Sequence, residues 1–281
     1  MIRTIAATRA ACERTRAEGR TVGFVPTMGA FHEGHRSLMR RAKDERDVTV
    51  VSIFVNPLQF GDARDLETYP RDEEADLAAA EREGVDLVFA PSVDEMYPGG
   101  EPEVTVDPGP LAERFEGASR PGHFRGVATV VAKLFGTMGP CAAYFGEKDA
   151  QQLAVIRRMV RDLSLPVDVR CLPVVREPDG LALSSRNRLL SPEQREAATC
   201  LFLALSVAAE LARAGERDAG RLVAAMAREI GATPQARIDY VAVVDENTFE
   251  ERPAIAGPAR ALVAARFGRV RLIDTLLLPT A

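Results

Sequence analysis

The 281-residue chain is short of histidine, lysine and cysteine, and it has no long apolar run. Each scarcity excludes something. Its four cysteines, Cys12, Cys141, Cys171 and Cys200, stand far apart and form no CxxC pair. That spacing argues against a disulfide frame or a zinc site, and for reduced thiols in a cytoplasmic protein. No run approaches the roughly 20 apolar residues of a membrane helix. Residues 1–20 alternate arginine with alanine and lack the apolar centre of a secretory signal, so they read as an amphipathic first helix. Positive charge is also in deficit: 36 Lys plus Arg against 41 Asp plus Glu give a net charge of −5. That balance speaks against nucleic acid or an anionic membrane as partner. No internal repeat or low-complexity segment is present. What remains, 46% hydrophobic and 27% charged residues, describes a soluble globular protein with room for one large domain or two.

Two of the three histidines, His32 and His35, fall in one stretch, Val22 to Arg41. The stretch opens with an apolar run to Val25, a short buried strand that Pro26 ends for want of an N–H. Gly29 and Gly34 permit a tight turn and close approach to a ligand. A helix follows from about Gly34. Backbone N–H groups and the positive end of the helix dipole then converge where the histidines sit, a setting that suits phosphate. A metal reading lacks a third ligand nearby, and Glu33 does not complete a zinc-protease spacing. A solvated turn remains the bland alternative.

Val48 to Val55 is apolar on both faces, as in the middle of a parallel sheet. With Val22 to Val25 it makes a βαβ unit. It empties into Asn56-Pro57-Leu58-Gln59, at the strand end where α/β sheets bind ligands. Asn56 and Gln59 are thus either ligand contacts or turn residues. Beyond come an acidic helix from Asp72 to Glu83, a strand from Val85 to Ala90, and an irregular Pro/Gly-rich excursion with a short strand at Val104 to Val106. His123 lies between Arg120 and Arg125, in an anion contact or a solvated loop. Val127 to Met138 is a core helix by its spacing. Ala142 to Phe145 is a strand that runs into Gly146-Glu147-Lys148-Asp149 and a helix, a second phosphate-like turn or an ordinary charged helix entrance. Val167 to Val175 closes the sheet. Then Leu183-Ser184-Ser185-Arg186 places hydroxyls and a cation in a short loop. Ser191 caps a helix at Pro192, two alanine-rich helices span about Pro192 to Ala214 and Asp218 to Ile230, and three strands end the chain. The expected fold is α/β, a Rossmann-like doubly wound parallel sheet over 1–175 with a smaller α+β unit over 176–281.

Taken in order, PTMGAFHEGH (Pro26 to His35), SIFVNPLQF, YPR, RPGHFRGV, FGEKDAQQL and DGLALSSRN resemble the pantothenate synthetase family. The HxGH element is shared widely among adenylyl-transferring enzymes, whereas the ordered set is specific. Ala150 stands where the family often has an aromatic residue. The resemblance implies ATP-dependent condensation of pantoate with β-alanine through a pantoyl-adenylate, releasing AMP and pyrophosphate, by a homodimer with the C-terminal unit as lid. It implies that Met28, Gly29, Ala30, Phe31, His32, Glu33, Gly34 and His35 line the ATP site. Gly146, Glu147, Lys148, Asp149, Val175, Leu183, Ser184, Ser185 and Arg186 would join them. Gln59 would contact pantoate and β-alanine, and Gln152 pantoate, with Asn56 expected as a third residue of that binding site. His32, His35, Lys148 and Arg186 would supply the positive groups that the departing pyrophosphate needs. Mg²⁺ is expected with the nucleotide rather than in a protein cage, with Asp149 as its one candidate carboxylate. The rivals are another adenylyltransferase of the same fold and a nucleotide-binding regulatory module without turnover.

Overall fold

The computed structural model describes residues 1–61 and 63–279. They divide into two compact units: Met1–Gly146 with Val155–Leu172, and Glu147–Ala154 with Pro173–Ala281. Among the described residues no helix is long and apolar enough to cross a membrane.

The first unit is the expected parallel sheet. Its strands are β1 (Val22–Thr27), β2 (Val48–Ile53), β3 (Leu87–Phe89), β4 (Cys141–Gly146) and β5 (Val167–Leu172). Their order is β3-β2-β1-β4-β5, and every neighbouring pair is parallel. The apolar runs form central strands because both faces are covered: Val25, Val51, Ala142 and Tyr144 share a core with Leu38, Met39 and Ala42 of the Glu33–Glu45 helix. Chain order reverses between β1 and β4, and such a switch point opens a crevice at the strands' C-terminal ends. Residues 28–35 leave β1 there, and Gly146 ends β4 at the same edge.

Three expected strands differ. Pro26 does not end β1, which runs on to Thr27; at that point β1 is paired with β2 alone, as at a sheet edge, where proline is tolerated. Val104 to Val106 forms none: Val104 is exposed, and the Val106 N–H donates to Thr129 Oγ1 instead of a ladder partner. The last strand of the sheet stops at Leu172, before Pro173, which has no N–H to pair.

The second unit carries an antiparallel sheet of β6 (Ala236–Asp245), β7 (Ala259–Phe267) and β8 (Val270–Leu277), with β7 in the middle. Helices Cys200–Arg213 and Ala219–Gly231 pack Leu201, Leu205, Leu222 and Met226 against Val263 and Phe267. The single helix expected over 192–214 is interrupted at Ala198 and Thr199. There the Thr199 hydroxyl takes the Glu196 carbonyl, a side-chain bond that competes with the helix ladder.

Candidate active site

The loop after β1 is held open by a residue far away in sequence. Asp76, buried on the Glu73–Arg82 helix, accepts the N–H groups of Ala30 and Phe31, both at 2.8 Å. The loop needs that clamp, because Ala30 sits at φ +52°, a conformation L residues rarely adopt. Gly29 precedes it at φ +81°, where a Cβ would lie 2.6 Å from Asp76 Oδ2. Glycine is therefore required twice over, by conformation and by space.

The Glu33–Glu45 helix then starts on a reciprocal cap. His32 Nδ1 accepts from Gly34 N at 3.1 Å, and His35 Nδ1 accepts from His32 N at 3.4 Å. A nitrogen that accepts cannot carry the ring proton, so in each neutral imidazole the proton resides on Nε2. Both rings are thus hydrogen-bond donors without needing a net charge. They lie 4.2 Å apart between centroids, with Phe31 5.7 Å from His35. The Glu33 carboxylate is paired with Arg36 and Arg40.

The second loop of this unit presents Gln59. Pro57–Gln59 is a 3₁₀ turn laid against the His123–Met138 helix. A Cβ on Gly126 of that helix would fall 2.3 Å from Leu58 O, so only glycine allows the contact. Asn56 is buried and fully engaged. Its Nδ2 donates to Gln59 Oε1 and Gly126 O, both at 3.1 Å, while its Oδ1 accepts from Leu58 N and the Tyr97 hydroxyl. Its side-chain polar atoms are all engaged within the protein, so Asn56 braces the turn that presents Gln59. Gln59 Nε2 reaches Met28 Sδ at 3.0 Å, tying this loop to the first. That leaves Gln59 one N–H and one lone pair for a ligand.

His123 proves to be neither an anion contact nor a solvated residue. It is buried at the start of its helix, with Nδ1 2.9 Å from Gln59 O and Nε2 3.3 Å from Arg120 Nη1. The carbonyl demands a proton on Nδ1, and the guanidinium demands a lone pair on Nε2. Both contacts therefore favour the neutral Nδ1–H ring, wedged behind Gln59. Asp76, Tyr97, Gly126 and His123 are the supports that sequence reasoning missed or left open. For His123 and Gly126 the only signal was their place within RPGHFRGV; for Asp76 and Tyr97 there was none.

In the second unit, Glu147–Asp149 is a 3₁₀ turn. The Glu147 carboxylate is taken by Arg260, with Nη1 and Nη2 each 3.3 Å from Oε2. Lys148 Nζ stands 4.0 Å from Asp149 Oδ1, too far for a hydrogen bond. Val175 and Leu183 lie side by side, since Leu183 N donates to Val175 O at 2.9 Å. The chain between them folds back at Gly180. Ser184 caps the Ser185–Leu189 turn by accepting from Arg186 N. Gln152 is partly exposed on the first turn of the Ala150–Asp162 helix, while its neighbour Gln151 is buried.

No group of three His, Cys, Asp or Glu that could hold a metal exists among the described residues. Covalent catalysis by thiol finds no support at three cysteines: burial pushes Cys141 up to about 12 and raises Cys12 and Cys200 as well.

Comparison with known proteins gives one consistent result. A family profile described as pantoate-beta-alanine ligase matches residues 1–277. Pantothenate synthetase of Roseiflexus sp. (strain RS-1) is 55% identical over 278 residues, 99% of each chain. That of Moorella thermoacetica is 51% identical over 278 residues, 99% of this chain and 98% of the relative. The crystal structure of pantothenate synthetase from Thermus thermophilus superposes with a TM-score of 0.92 at 51% identity, over 99% of each chain. Pantoate-beta-alanine ligase from Francisella tularensis, complexed with beta-gamma ATP and beta-alanine, superposes with a TM-score of 0.79 at 35% identity. It is covered over 99% of its length and 100% of this chain.

Proposed function

This chain belongs to the pantoate-β-alanine ligase family, and we propose from that premise how its residues carry out the ligation. The enzyme joins pantoate to β-alanine using ATP. In the first step a pantoate carboxylate oxygen attacks the α-phosphorus, the bond to the β-phosphate oxygen breaks, and pyrophosphate leaves. In the second, the β-alanine nitrogen attacks the acyl carbon of the adenylate. The bond to AMP breaks and the nitrogen loses a proton, giving pantothenate.

The observation that carries this reading is the pair of capped imidazoles. With both Nδ1 atoms committed to backbone N–H groups, His32 and His35 present Nε2–H donors at the start of a 13-residue helix. Neutral donors plus a helix N-terminus bind polyphosphate without needing protonation. Lys148 and Arg186 add fixed positive charge for the pyrophosphate, where charge builds as the bond breaks. Gln59 and Gln152 hold the hydroxy-acid with uncharged amides, which avoids repelling it or the triphosphate. Asn56, His123 and Arg120 keep the Gln59 amide in place. Asp149 is the carboxylate that would hold Mg²⁺ arriving with ATP, and the ion would neutralise part of the phosphate charge. The family resemblance supports a cytoplasmic homodimer.

Labelled pyrophosphate should exchange into ATP when pantoate is present and β-alanine is left out. Exchange that requires β-alanine, or that runs without pantoate, contradicts the two-step path.

A further inference from the structure

We propose that Arg260 is a positioning residue for the first chemical step, fixing the turn from which Lys148 acts. The proposal rests on the role given to Lys148 above. Arg260 lies on the middle strand β7, opposite Val244 and Leu277, and is only 3% exposed. A guanidinium sealed from water must fill its donors with partners. Nε and Nη2 fork onto the Glu246 carboxylate at 2.6 and 3.0 Å, and Nη1 and Nη2 both reach Glu147 Oε2. Burial pulls this guanidinium's pKa down, but the two carboxylates outweigh that and hold it above its ordinary value. It is therefore charged at every working pH.

The geometry makes Arg260 a strut between a rigid strand and a weak turn. Glu246 directly follows β6, so one end of the strut is anchored to the sheet. Its other end is Glu147, the residue before Lys148. A single 3₁₀ turn has poor hydrogen-bond geometry and does not hold a side chain in place by itself. A charged helix entrance with no task would sit in solvent and need no buried arginine. β8 also packs against this turn. It carries Asp274, whose carboxyl lies within the field of the Lys148 charge. Two adjacent strands thus bring buried ionic groups to the turn that carries Lys148: Arg260 through Glu147, and Asp274 through its charge.

A double-mutant cycle separates positioning from mere stability. The readout is the rate of pyrophosphate release in the first turnover, with pantoate and ATP saturating. Glu147→Gln keeps the shape but removes the charge that Arg260 grips, and leaves Arg260 paired with Glu246. It should lower the rate about tenfold in the parent and hardly at all beside Lys148→Ala, because contacting residues couple. Arg260→Lys keeps the charge but not the fork, and should give a partial loss in the parent alone. Equal fold losses in both backgrounds would mean a structural role and overturn the proposal, as would a parent rate untouched by Glu147→Gln. If Lys148→Ala itself leaves the rate intact, the Lys148 assignment falls and this inference with it. An impaired Lys148→Ala beside an unaffected Glu147→Gln removes this inference only.

Discussion

Lys148→Ala and His35→Ala should each lower turnover by on the order of 10²–10³, roughly 3–4 kcal/mol of transition-state stabilisation. The expectation follows from where charge moves. Pyrophosphate gains negative charge as the α–β bridging bond breaks, and a donor already aimed at that oxygen does not have to reorganise. Lys148 is suited to this because Asp149, at 4.0 Å, does not neutralise it through a hydrogen bond. His35 is suited because its cap fixes the tautomer that donates. The loss should appear mainly in kcat, since an interaction made in the transition state leaves KM for ATP nearly unchanged. Steady-state kinetics of the two folded variants check this. Near-normal kcat in either would remove that residue from the mechanism.

The largest effect on stability should come from Arg176→Met. Arg176 grips Asp274 with two bonds of 2.6 and 3.0 Å, and also holds the carbonyls of Gly180 and Thr275. The Asp274 side chain is 1% exposed. Removing one partner of a buried ion pair strands the other, at a cost of about 3–5 kcal/mol. The sign of its pH dependence is fixed by Asp274. Burial raises its carboxyl above the ordinary range, and Arg176 opposes that rise. A raised carboxyl contributes stability that is full below its unfolded pKa, near 3.9, and is lost as pH rises through the folded value. Without Arg176 the rise is larger. The deficit of the variant should therefore be greater near pH 8 than near pH 5, as roughly gauged by linkage. Urea unfolding at both pH values measures it, and an equal deficit at both would show that Asp274 is not the stranded charge.

What was legible in the sequence was local. The glycines, histidines and helix start around Pro26 to His35 announce a phosphate-type turn because the cap and the tight backbone are built from neighbours. The parallel strands announce themselves as apolar runs, although Pro26, read as the end of the first, lies inside it. What stayed hidden depends on distant pairs. Asp76 holds a loop 46 residues away, and Arg260 holds Glu147 across 113 residues. Nothing along the chain signals either. For the same reason the position of Asn56 at a strand end is visible in the sequence, but its bracing of the turn through four hydrogen-bond partners is not. The Glu147–Ala154 segment clusters with the second unit although the flanking residues belong to the first. A boundary sought at one point in the sequence has no means of expressing that.

The central claim is that the pantoate carboxylate attacks the α-phosphorus. Holding acid and nucleotide in line makes that step effectively unimolecular, an advantage of several kcal/mol. Pantoate carrying ¹⁸O in its carboxylate tests it directly. The adenylate route predicts one label atom in the phosphate of AMP, with unlabelled pyrophosphate. Label in inorganic phosphate, with ADP as the nucleotide product, would mean attack on the γ-phosphorus and would contradict the account.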